Sequence, residues 1–318
     1  MCFERRRPIR TPTAAGAIRP GYDSSTAATI VCGVQRRRRR SLVYLGVLTT
    51  VALLGGAGGT GGAALAAAGV PNAFFTSACS FSHRNSDDLI RFPRKPGASH
   101  NHTYFGNRST NAFSVLATLR SAATTCDRLS DTAAYWVPTV YADAQPIVPT
   151  KASVYYRRET VRNVVAFPPG FRVVAGDMMA RKPQSLRIVS WDCRAVGSGS
   201  GRATSSVPTC PPNSQLELSV SFPSCWDGHS LDSPDHTSHV AYPIGTRCPS
   251  RRPVPLPALT LVVQFPPIAP GRTVTLASGG QFSAHADFVN SWQQKDLVQL
   301  VTLCLNEARG CGQLPPHE

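Results

Sequence analysis

The stretch Leu216-Glu-Leu-Ser-Val-Ser-Phe222 alternates strictly between apolar and polar side chains. Successive side chains of a β-strand point to opposite faces, so this period of two is typical of a strand that buries one face. The segment Leu259-Thr-Leu-Val-Val-Gln-Phe265 nearly repeats the pattern. These two segments predict strands and place the chain among the mainly β proteins.

Shorter runs with the composition of strands occur on both sides of these two segments. They cover residues 113–119, 137–141, 153–156, 161–167, 172–174, 186–191 and 273–276. Prolines and glycines separate them, as in Pro168-Pro169-Gly170 and Gly279-Gly280. Many short strands between such breaks indicate a β-sandwich or a barrel. We therefore expect a β-sandwich or jelly-roll-like domain with long loops.

One segment near the C-terminus predicts a helix. Ser291 is placed to cap its first turn, and Gln294 would complete a capping box. Apolar side chains then recur at helical spacing, at Trp292, Leu297, Leu300, Val301 and Cys304. No internal repeat or linker divides residues 70–318, so we expect one secreted β-rich domain with one C-terminal helix.

Residues 36–68 have the pattern of a signal peptide. Five arginines at 36–40 precede an apolar stretch at 42–54, and the small residues at 66–68 suit a cleavage site. The apolar stretch is shorter than the roughly 20 residues that a membrane-spanning helix needs. The pattern predicts secretion with transient membrane contact, or retention at the cell surface if the segment is not cleaved. Residues 1–35 are expected to be a disordered extension or sequence before the true start.

The net charge of +15 first suggests a nucleic-acid partner, but its distribution argues against one. Residues 1–68 hold ten arginines and two acidic residues, and without them the net charge falls from +15 to +7. The remaining basic residues are scattered rather than clustered. A scattered excess is typical of a solvated surface, so we expect no nucleic-acid binding.

Eight of the ten cysteines follow the predicted signal peptide, and an even number behind such a signal indicates disulfides. Eight cysteines allow 105 connectivities, so spacing alone does not determine the pairs. Pairing between sequence neighbours is the simplest expectation: Cys79 with Cys126, Cys193 with Cys210, Cys225 with Cys248, and Cys304 with Cys311. The rival is a thiolate metal site, which the absence of a Cys-x-x-Cys motif disfavours.

Six of the eight histidines lie in three short segments, two of which also carry aspartates. The first is His100-Asn-His102, and the last is His285-Ala-Asp287. The middle segment, residues 222–242, follows the clearest predicted strand. This uneven distribution makes the three segments the candidates for a functional site, since loops on a rigid scaffold often carry such sites.

The same segments carry longer motifs that extend over most of the chain. They are Pro-Gly-x-Ser-His-x-His at 96–102, Ala-Tyr-Trp-x-Pro at 134–138, Phe-Pro-x-Gly-Phe-Arg at 167–172, Phe-Pro-Ser-Cys-Trp-Asp-Gly at 222–228, Asp-Ser-Pro-Asp-His-x-Ser-His-Val-Ala-Tyr at 232–242 and His-Ala-Asp-Phe-x-Asn-x-Trp at 285–292. In these motifs the sequence resembles DUF1996, a secreted family whose domain has no established reaction. The resemblance covers about residues 85–305 and implies a secreted β-rich domain in which the motifs form one module.

Metal binding is one interpretation of the histidine-rich segments. Residues two positions apart on a strand share a face, so His100 and His102 could present two imidazoles together. The same spacing aligns His285 with Asp287. Neutral imidazoles beside a carboxylate suit Zn²⁺ or Cu²⁺, which makes a divalent metal the candidate cofactor. The candidate ligands are His100, His102, His239 and His285, with Asp287.

Hydrolase or lyase chemistry on an extracellular polysaccharide is the other interpretation. Glycoside hydrolysis requires two carboxylates, which Asp227 and Asp287 would supply. Alternatively, a histidine would act as the base, oriented by Asp287. The candidate catalytic residues are His100, His102, Asp227, His239, His285 and Asp287. Three tryptophans would stack on sugar rings or else pack in the core: Trp136, Trp226 and Trp292.

A module without chemistry, either structural or glycan-binding, is the third interpretation. Histidines and aspartates in disulfide-tethered loops often satisfy buried backbone groups, and Asp235 before His236 is compatible with a simple Asx-turn. The three interpretations differ in geometry, because a shared site requires His100 and His102 to lie close to His285 and Asp287.

Overall fold

The computed structural model describes residues 73–195 and 201–311 of the 318-residue chain. The predicted extension and signal peptide, 1–35 and 36–68, lie outside the described residues. The strands are β1 Phe74–Cys79, β2 Phe81–Asn85, β3 His102–Gly106, β4 Ala134–Pro138, β5 Val140–Ala142, β6 Gln145–Pro146, β7 Lys151–Arg157, β8 Arg172–Gly176, β9 Val189–Ala195, β10 Ser214–Ser221, β11 Cys225–Trp226, β12 Val240–Ala241, β13 Val254–Pro255, β14 Ala258–Pro267, β15 Val274–Leu276 and β16 His285–Val289. The helices are α1 Leu116–Ser121 and α2 Gln294–Leu300, and a π-helical turn, Val301–Asn306, follows α2.

Most strands belong to two five-stranded antiparallel sheets. One has the order β1-β7-β14-β10-β9, and the other has the order β2-β3-β4-β16-β8. Two three-stranded sheets, β12-β11-β13 and β15-β5-β6, complete the antiparallel pairing. The predicted mainly β fold with one C-terminal helix is confirmed, while the jelly-roll connectivity stays a prediction.

The alternating segment that predicted a strand forms β10, and its neighbour β14 contains the second segment. Leu218 pairs with Val263 in the register of these two strands. The apolar residues of β10 are buried in the main core, whereas Ser219 and Ser221 are half-buried on the other face. The period of two in the sequence is therefore the period of burial in the structure, except at Glu217, which is buried on the polar face and accepts from Arg194 and Gln264.

Side chains from both large sheets meet in one core. The hydroxyl oxygens of Tyr135 on β4 and Tyr156 on β7 lie 2.6 Å apart. Trp292, just before α2, is fully buried and donates from Nε1 to the Tyr156 hydroxyl at 3.0 Å. This three-residue contact joins the two sheets to the C-terminal helix, and aromatic rings with satisfied polar atoms suit such a core.

The four expected disulfides are all present, and each joins neighbouring cysteines of the sequence. The pairs are Cys79–Cys126, Cys193–Cys210, Cys225–Cys248 and Cys304–Cys311. No described helix is both long and apolar enough to cross a bilayer.

Two of the predicted strand runs are wrong. Residues 113–119 lead into helix α1, in which Leu119 alone is buried, because Leu, Ala and Arg favour a helix and a single apolar contact suffices to hold it. Residues 161–167 form no strand. Val164 and Phe167 are buried at a spacing of three. The backbone N–H groups of this run donate to separate parts of the chain rather than to one neighbouring strand.

The predicted capping box is also wrong. Ser291 Oγ donates to the main-chain oxygen of Thr132, a contact between distant parts of the chain. The residue at the cap position is Gln293, which makes no side-chain capping bond, and the helix begins at Gln294. The Ser291 hydroxyl therefore makes a tertiary hydrogen bond instead of the capping bond that the local pattern predicts.

Candidate functional site

The candidate site lies on the outer face of the sheet β2-β3-β4-β16-β8. On β16, Ala286 and Phe288 face the shared core, so His285 and Asp287 point to the opposite face. Asp287 pairs in register with Trp136 of β4, which in turn pairs with Tyr104 of β3. The sheet thus sets Asp287 in a row with two large aromatic residues.

Residues 86–101, which connect β2 to β3, cover this face and are called the covering segment below. Leu89 and Ile90 of the covering segment are buried in a small cluster that includes Tyr104 and Trp136. The contact places the beginning of the segment over the aromatic residues and its end, at His100, beside the histidines. The covering segment therefore excludes water from most of the site.

Three imidazoles converge under this cover. The ring centroids of His100 and His102 are 4.3 Å apart, those of His100 and His285 are 5.1 Å apart, and those of His102 and His285 are 5.9 Å apart. One ring nitrogen of each residue lies within 4.8 Å of the other two. His102 and His285 are fully buried, and His100 is half-buried. His285 is far from His100 and His102 in the sequence, and the sheet brings it close to them.

Hydrogen bonds fix the orientation of two of the three rings. Nδ1 of His102 lies 3.0 Å from the main-chain oxygen of Asp87, and Nδ1 of His285 lies 2.8 Å from that of Ser283. A carbonyl oxygen only accepts, so each Nδ1 carries the proton and each Nε2 keeps a lone pair. Nε2 of His100 and Nε2 of His102 are buried without a hydrogen-bond partner among the described residues.

Burial keeps these histidines neutral. It lowers the pKa of His100 to about 4 and the pKa of His285 to about 3. Burial also lowers the pKa of His102 well below its usual value, and the neighbouring histidines lower it further. Neutral imidazole is the form that binds a metal ion or accepts a proton.

Two aspartates complete the site, and one of them makes no contact that would stabilise its charge. Both carboxylate oxygens of Asp287 are buried and without a partner among the described residues. Burial raises the pKa of Asp287 well above its usual value. Asp88 lies with it, since one oxygen of each and a ring nitrogen of His102 are within 4.8 Å of one another. Burial raises the pKa of Asp88 as well, although Oδ1 accepts from the backbone N–H groups of Ile90 and Arg91.

Sequence reasoning did not single out Asp87 or Asp88, and both contribute to the site. The main-chain oxygen of Asp87 accepts from His102 Nδ1 and from the Tyr104 hydroxyl. Its carboxylate accepts from the backbone N–H groups of Gly97 and Ala112. The only sequence signal was the pair of adjacent carboxylates before an apolar dipeptide, which does not by itself indicate a site.

The structure places Asp227 and His239 away from the three imidazoles. Nε2 of His239 bonds the main-chain oxygen of Arg172, at the beginning of edge strand β8, whereas His285 pairs with Gly176 at the end of that strand. Four residues of strand separate the two positions by about 13 Å. Asp227 and His239 line their own surface cavity of about 420 Å³, together with Asp232 and Arg251, and Asp287 does not line it.

Hydrogen bonds within the loop that carries Asp227 and His239 satisfy many of the polar atoms of this second group. Oδ1 of Asp227 accepts from the backbone N–H groups of His229 and Ser230. Oδ1 of Asp235 accepts from the backbone N–H groups of Thr237 and Ser238, which is the Asx-turn that its sequence suggested. Burial lowers the pKa of His239, and both of its ring nitrogens have partners. The six candidate residues therefore divide into a four-residue cluster and a separate loop pair.

A third grouping of potential ligands in the described part of the chain consists of Cys79, Cys126 and Asp131. Its two cysteines form a disulfide and offer no thiolate. The imidazole cluster is therefore the candidate metal centre.

Comparison with known proteins bears on the family and not on a reaction. The protein-family model described as "Domain of unknown function (DUF1996)" matches residues 88–292. No curated protein and no solved structure matches the chain. The match covers more than half of the chain, including the covering segment from Asp88 onwards and all four clustered residues. The chain therefore belongs to the DUF1996 family.

Proposed function

We propose that this protein binds one divalent metal ion, zinc or copper, outside the cell. The ligands are ring nitrogens of His100, His102 and His285, with Asp287 as the fourth. The observation that carries the proposal is the convergence of three imidazole nitrogens. A buried carboxyl group without a hydrogen-bond donor, that of Asp287, lies 3.8 Å from Nε2 of His285 and within 4.8 Å of a ring nitrogen of His102.

The hydrogen bonds around the rings support this role. Metal-binding histidines usually donate their other ring N–H to a carbonyl or carboxylate, which orients the ring and raises its basicity. His102 and His285 both make such a bond to a main-chain oxygen. The low pKa values of the three histidines favour metal over protons at neutral pH, because no bound proton must first be released.

The carboxyl group of Asp287 also supports metal binding. A buried polar group without a hydrogen bond costs free energy, and a buried charge costs much more. A divalent cation would replace the proton that burial otherwise holds on this group. Oδ2 of Asp287 is 3.8 Å from Nε2 of His285, a spacing that one ion between the two atoms would suit.

Binding requires a small closure of the site. Two nitrogens bound to one tetrahedral Zn²⁺ at 2.0–2.1 Å are about 3.3–3.4 Å apart. The three nitrogens lie within 4.8 Å of one another, so the imidazoles would approach one another by up to about 1.4 Å. His100, as the half-buried member on the covering segment, is the ligand with most room to make that movement.

Hydrolase or lyase chemistry on an extracellular polysaccharide is the second candidate. It is favoured by the partial exposure of His100, which gives a reactant access to one side of the centre. The carboxylate pair Asp227 and Asp287 does not support this chemistry. Asp227 lines a surface cavity, whereas Asp287 is buried elsewhere in the interior. Trp136 and Trp292 do not support a sugar platform, because both are fully buried, and only Trp226 of the three candidate tryptophans is half-buried. A structural or glycan-binding module without chemistry would show neither metal nor turnover.

Secretion is part of the proposal. Four disulfides are typical of proteins that fold in an oxidising compartment, and residues 36–68 have the pattern of a signal peptide. We therefore place the metal centre in an extracellular or cell-surface protein whose partner is an extracellular polysaccharide or another extracellular molecule.

Elemental analysis of the purified, disulfide-bonded protein tests the metal centre, followed by calorimetric titration of the chelator-treated protein with Zn²⁺ and Cu²⁺. We expect one equivalent of metal, and tighter binding of Cu²⁺ than of Zn²⁺. His285→Gln and Asp287→Asn should weaken binding, whereas His239→Gln, the matched control, should not. A protein that takes up no metal, or that loses it equally in the His239→Gln variant, would contradict the assignment. A glycan degradation screen with His102→Ala and Asp287→Ala controls tests the second candidate.

A further inference from the structure

A cavity of about 510 Å³ lies on the outer face of the sheet β1-β7-β14-β10-β9. Ser221 of β10 and Thr260 of β14 line it, and both point away from the core because their neighbours Val220 and Leu261 face the core. None of the proposed metal ligands lines this cavity. Its volume falls in the range of about 300–1,000 Å³ that is usual for ligand sites. The cavity is therefore a candidate binding site that is separate from the metal centre.

Tyr242 gives the cavity an aromatic wall. The residue is 36% exposed, although its hydroxyl donates to the main-chain oxygen of Ser221 at 2.8 Å. It directly follows β12, whose Ala241 pairs with Cys225, and the disulfide Cys225–Cys248 holds the loop on both sides of this position. The side chain is thus fixed in place and still accessible. A group that is already ordered binds a ligand at a smaller entropic cost.

Hydroxyl groups and two opposite charges complete the polar lining. Ser221 and Thr260 pair in register, and their hydroxyl oxygens lie 3.2 Å apart. Glu159 and Arg187 also line the cavity, and within the described ranges neither has an oppositely charged atom within 4.0 Å. They are the charged residues of the lining, so the cavity offers hydrogen-bond donors and acceptors without a net charge.

These features fit a neutral oligosaccharide better than other classes of ligand. The C–H face of a sugar ring packs against an aromatic ring, while hydroxyl, carboxylate and guanidinium groups bond its hydroxyls. An extended peptide that adds a strand needs a free edge, but β10 and β14 are each paired on both sides. A phosphorylated ligand requires an excess of positive charge, which Glu159 offsets in this lining.

We propose that this cavity binds a neutral oligosaccharide, with one sugar ring against Tyr242 and its hydroxyl groups bonded by Glu159 and Arg187. The site gives a position to the polysaccharide partner of the proposed function, and it does not depend on the metal ion. The motif at 222–228 begins with Phe222, the motif at 232–242 ends with Tyr242, and both of these residues line the cavity. The proposal therefore assigns a role to parts of the two motifs that the metal centre leaves unused.

Calorimetric titration of the purified, disulfide-bonded protein tests the proposal. The neutral probes are cellohexaose, laminarihexaose, mannohexaose and chitohexaose, and hexagalacturonate is the acidic comparison. We expect at least one neutral hexasaccharide to bind with saturation at one site, and the chelator-treated protein to bind it with the same affinity. Binding of hexagalacturonate alone, binding that the chelator abolishes, or no binding of any neutral probe would overturn the proposal.

Variants of the lining distinguish binding from a structural role. Tyr242→Ala should weaken binding about tenfold, because the ring that packs against the sugar is lost. Tyr242→Phe loses the bond to Ser221 but keeps the ring, so it should retain most of the affinity. Glu159→Gln should weaken binding about threefold or more, since hydrogen bonds to charged groups are stronger than those to neutral ones. Phe113→Ala, which removes an exposed aromatic residue that does not line this cavity, is the matched control.

The possible failures separate this inference from the metal centre. An equal loss of saccharide binding in Tyr242→Ala and Phe113→Ala would place the sugar elsewhere, and so would full affinity in both Tyr242→Ala and Glu159→Gln. If the protein binds metal and none of the neutral hexasaccharides, this inference is wrong and the metal centre stands. If a hexasaccharide binds as expected and no metal is taken up, the metal centre alone is wrong.

Discussion

Nε2 of His285 lies 3.8 Å from Oδ2 of Asp287, and the two side chains leave the same face of β16. The separation is too long for a hydrogen bond, so an imidazole lone pair and a carboxyl group face each other without a bond between them. Each residue is only 1% exposed. A buried arrangement of this kind becomes favourable when a third partner joins both groups, and the first prediction concerns that partner.

Zinc should stabilise the folded protein, because it binds the folded centre and not the unfolded chain. A ligand at one hundred times its dissociation constant adds about 2.7 kcal/mol to the free energy of unfolding. Thermal unfolding with Zn²⁺ and with EDTA should therefore differ by several degrees in wild-type protein. His285→Gln should abolish this difference and His239→Gln should retain it. The same shift in both variants would place the zinc elsewhere.

Asp87 should affect metal affinity without being a ligand. Its carboxylate joins Gly97 and Ala112, and its main-chain oxygen orients His102. Asp87→Ala removes the first contact and frees the covering segment that carries His100. Loss of such supporting contacts typically weakens metal binding by about 10- to 100-fold.

Calorimetric titration of Asp87→Ala measures this effect, and Asp177→Ala serves as its control. Asp177 is exposed and makes a comparable Asx bond, to the N–H of Met179, away from the covering segment. Unchanged metal affinity in Asp87→Ala would show that the covering segment is held by its apolar contacts alone.

Asp131 should make stability depend on pH. Burial raises its pKa to about 7, against an ordinary value of 3.8, although the Tyr135 hydroxyl bonds both of its oxygens. Between these pH values the folded protein keeps a proton that the unfolded chain releases. The contribution of Asp131 to the free energy of unfolding should therefore fall by about 4 kcal/mol as pH rises from about 4 to 7, whereas the buried neutral histidines contribute in the opposite direction.

The variant Asp131→Asn tests that pH dependence, because it cannot ionise and keeps an oxygen acceptor. Chemical denaturation at pH 4, 5.5, 7 and 8 gives the difference in free energy of unfolding between wild-type protein and Asp131→Asn, in which the contributions of the other titrating groups cancel. This difference should change by about 4 kcal/mol against the wild type between pH 4 and pH 7. Asp127→Asn removes only the smallest influence on the pKa of Asp131, so its difference from wild type should change little with pH. An identical pH profile for wild type and Asp131→Asn would contradict the assignment.

The two outermost disulfides should differ in their contribution to stability. Cys79–Cys126 closes a loop with a sequence separation of 47, and Cys304–Cys311 closes one of only 7. In the chain-entropy description, the longer loop is worth about 4 kcal/mol and the shorter one about 2 kcal/mol. Denaturation of the paired Cys→Ser variants measures both values. A larger loss from the short loop would show that packing around Cys304, and not loop closure, dominates.

The strands were predictable from the sequence where burial alternates. Leu216, Leu218 and Val220 are buried because every second residue of β10 faces the core, and the sequence shows this period directly. The strand predicted at residues 161–167 is wrong for the opposite reason, since Val164 and Phe167 are buried by separate tertiary contacts and not by a sheet. The disulfides agree with the simplest expectation because they join consecutive cysteines in chain order.

The candidate site was only half predictable. His100, His102, His285 and Asp287 were found by residue type and spacing, yet nothing in the residue pattern excluded His239. That exclusion depends on the order of strands, which puts His239 beyond the edge strand β8. Asp87 and Asp88 were missed because the path of the covering segment depends on the contacts of Leu89 and Ile90 with two aromatic residues of the sheet.

The separation of the ligands along the chain has a consequence for how the protein matures. His102 begins β3 and His285 begins β16, and more than half of the chain lies between them. During synthesis, His100 and His102 emerge long before the residues that complete their coordination. In the proposed metal centre, a nascent chain would therefore hold only a weak pair of imidazoles, and an ion would be bound firmly only after β16 has paired with β4 and β8. Metal loading would then be a late event in biogenesis, set by the metal that is available wherever the last strand of this sheet folds.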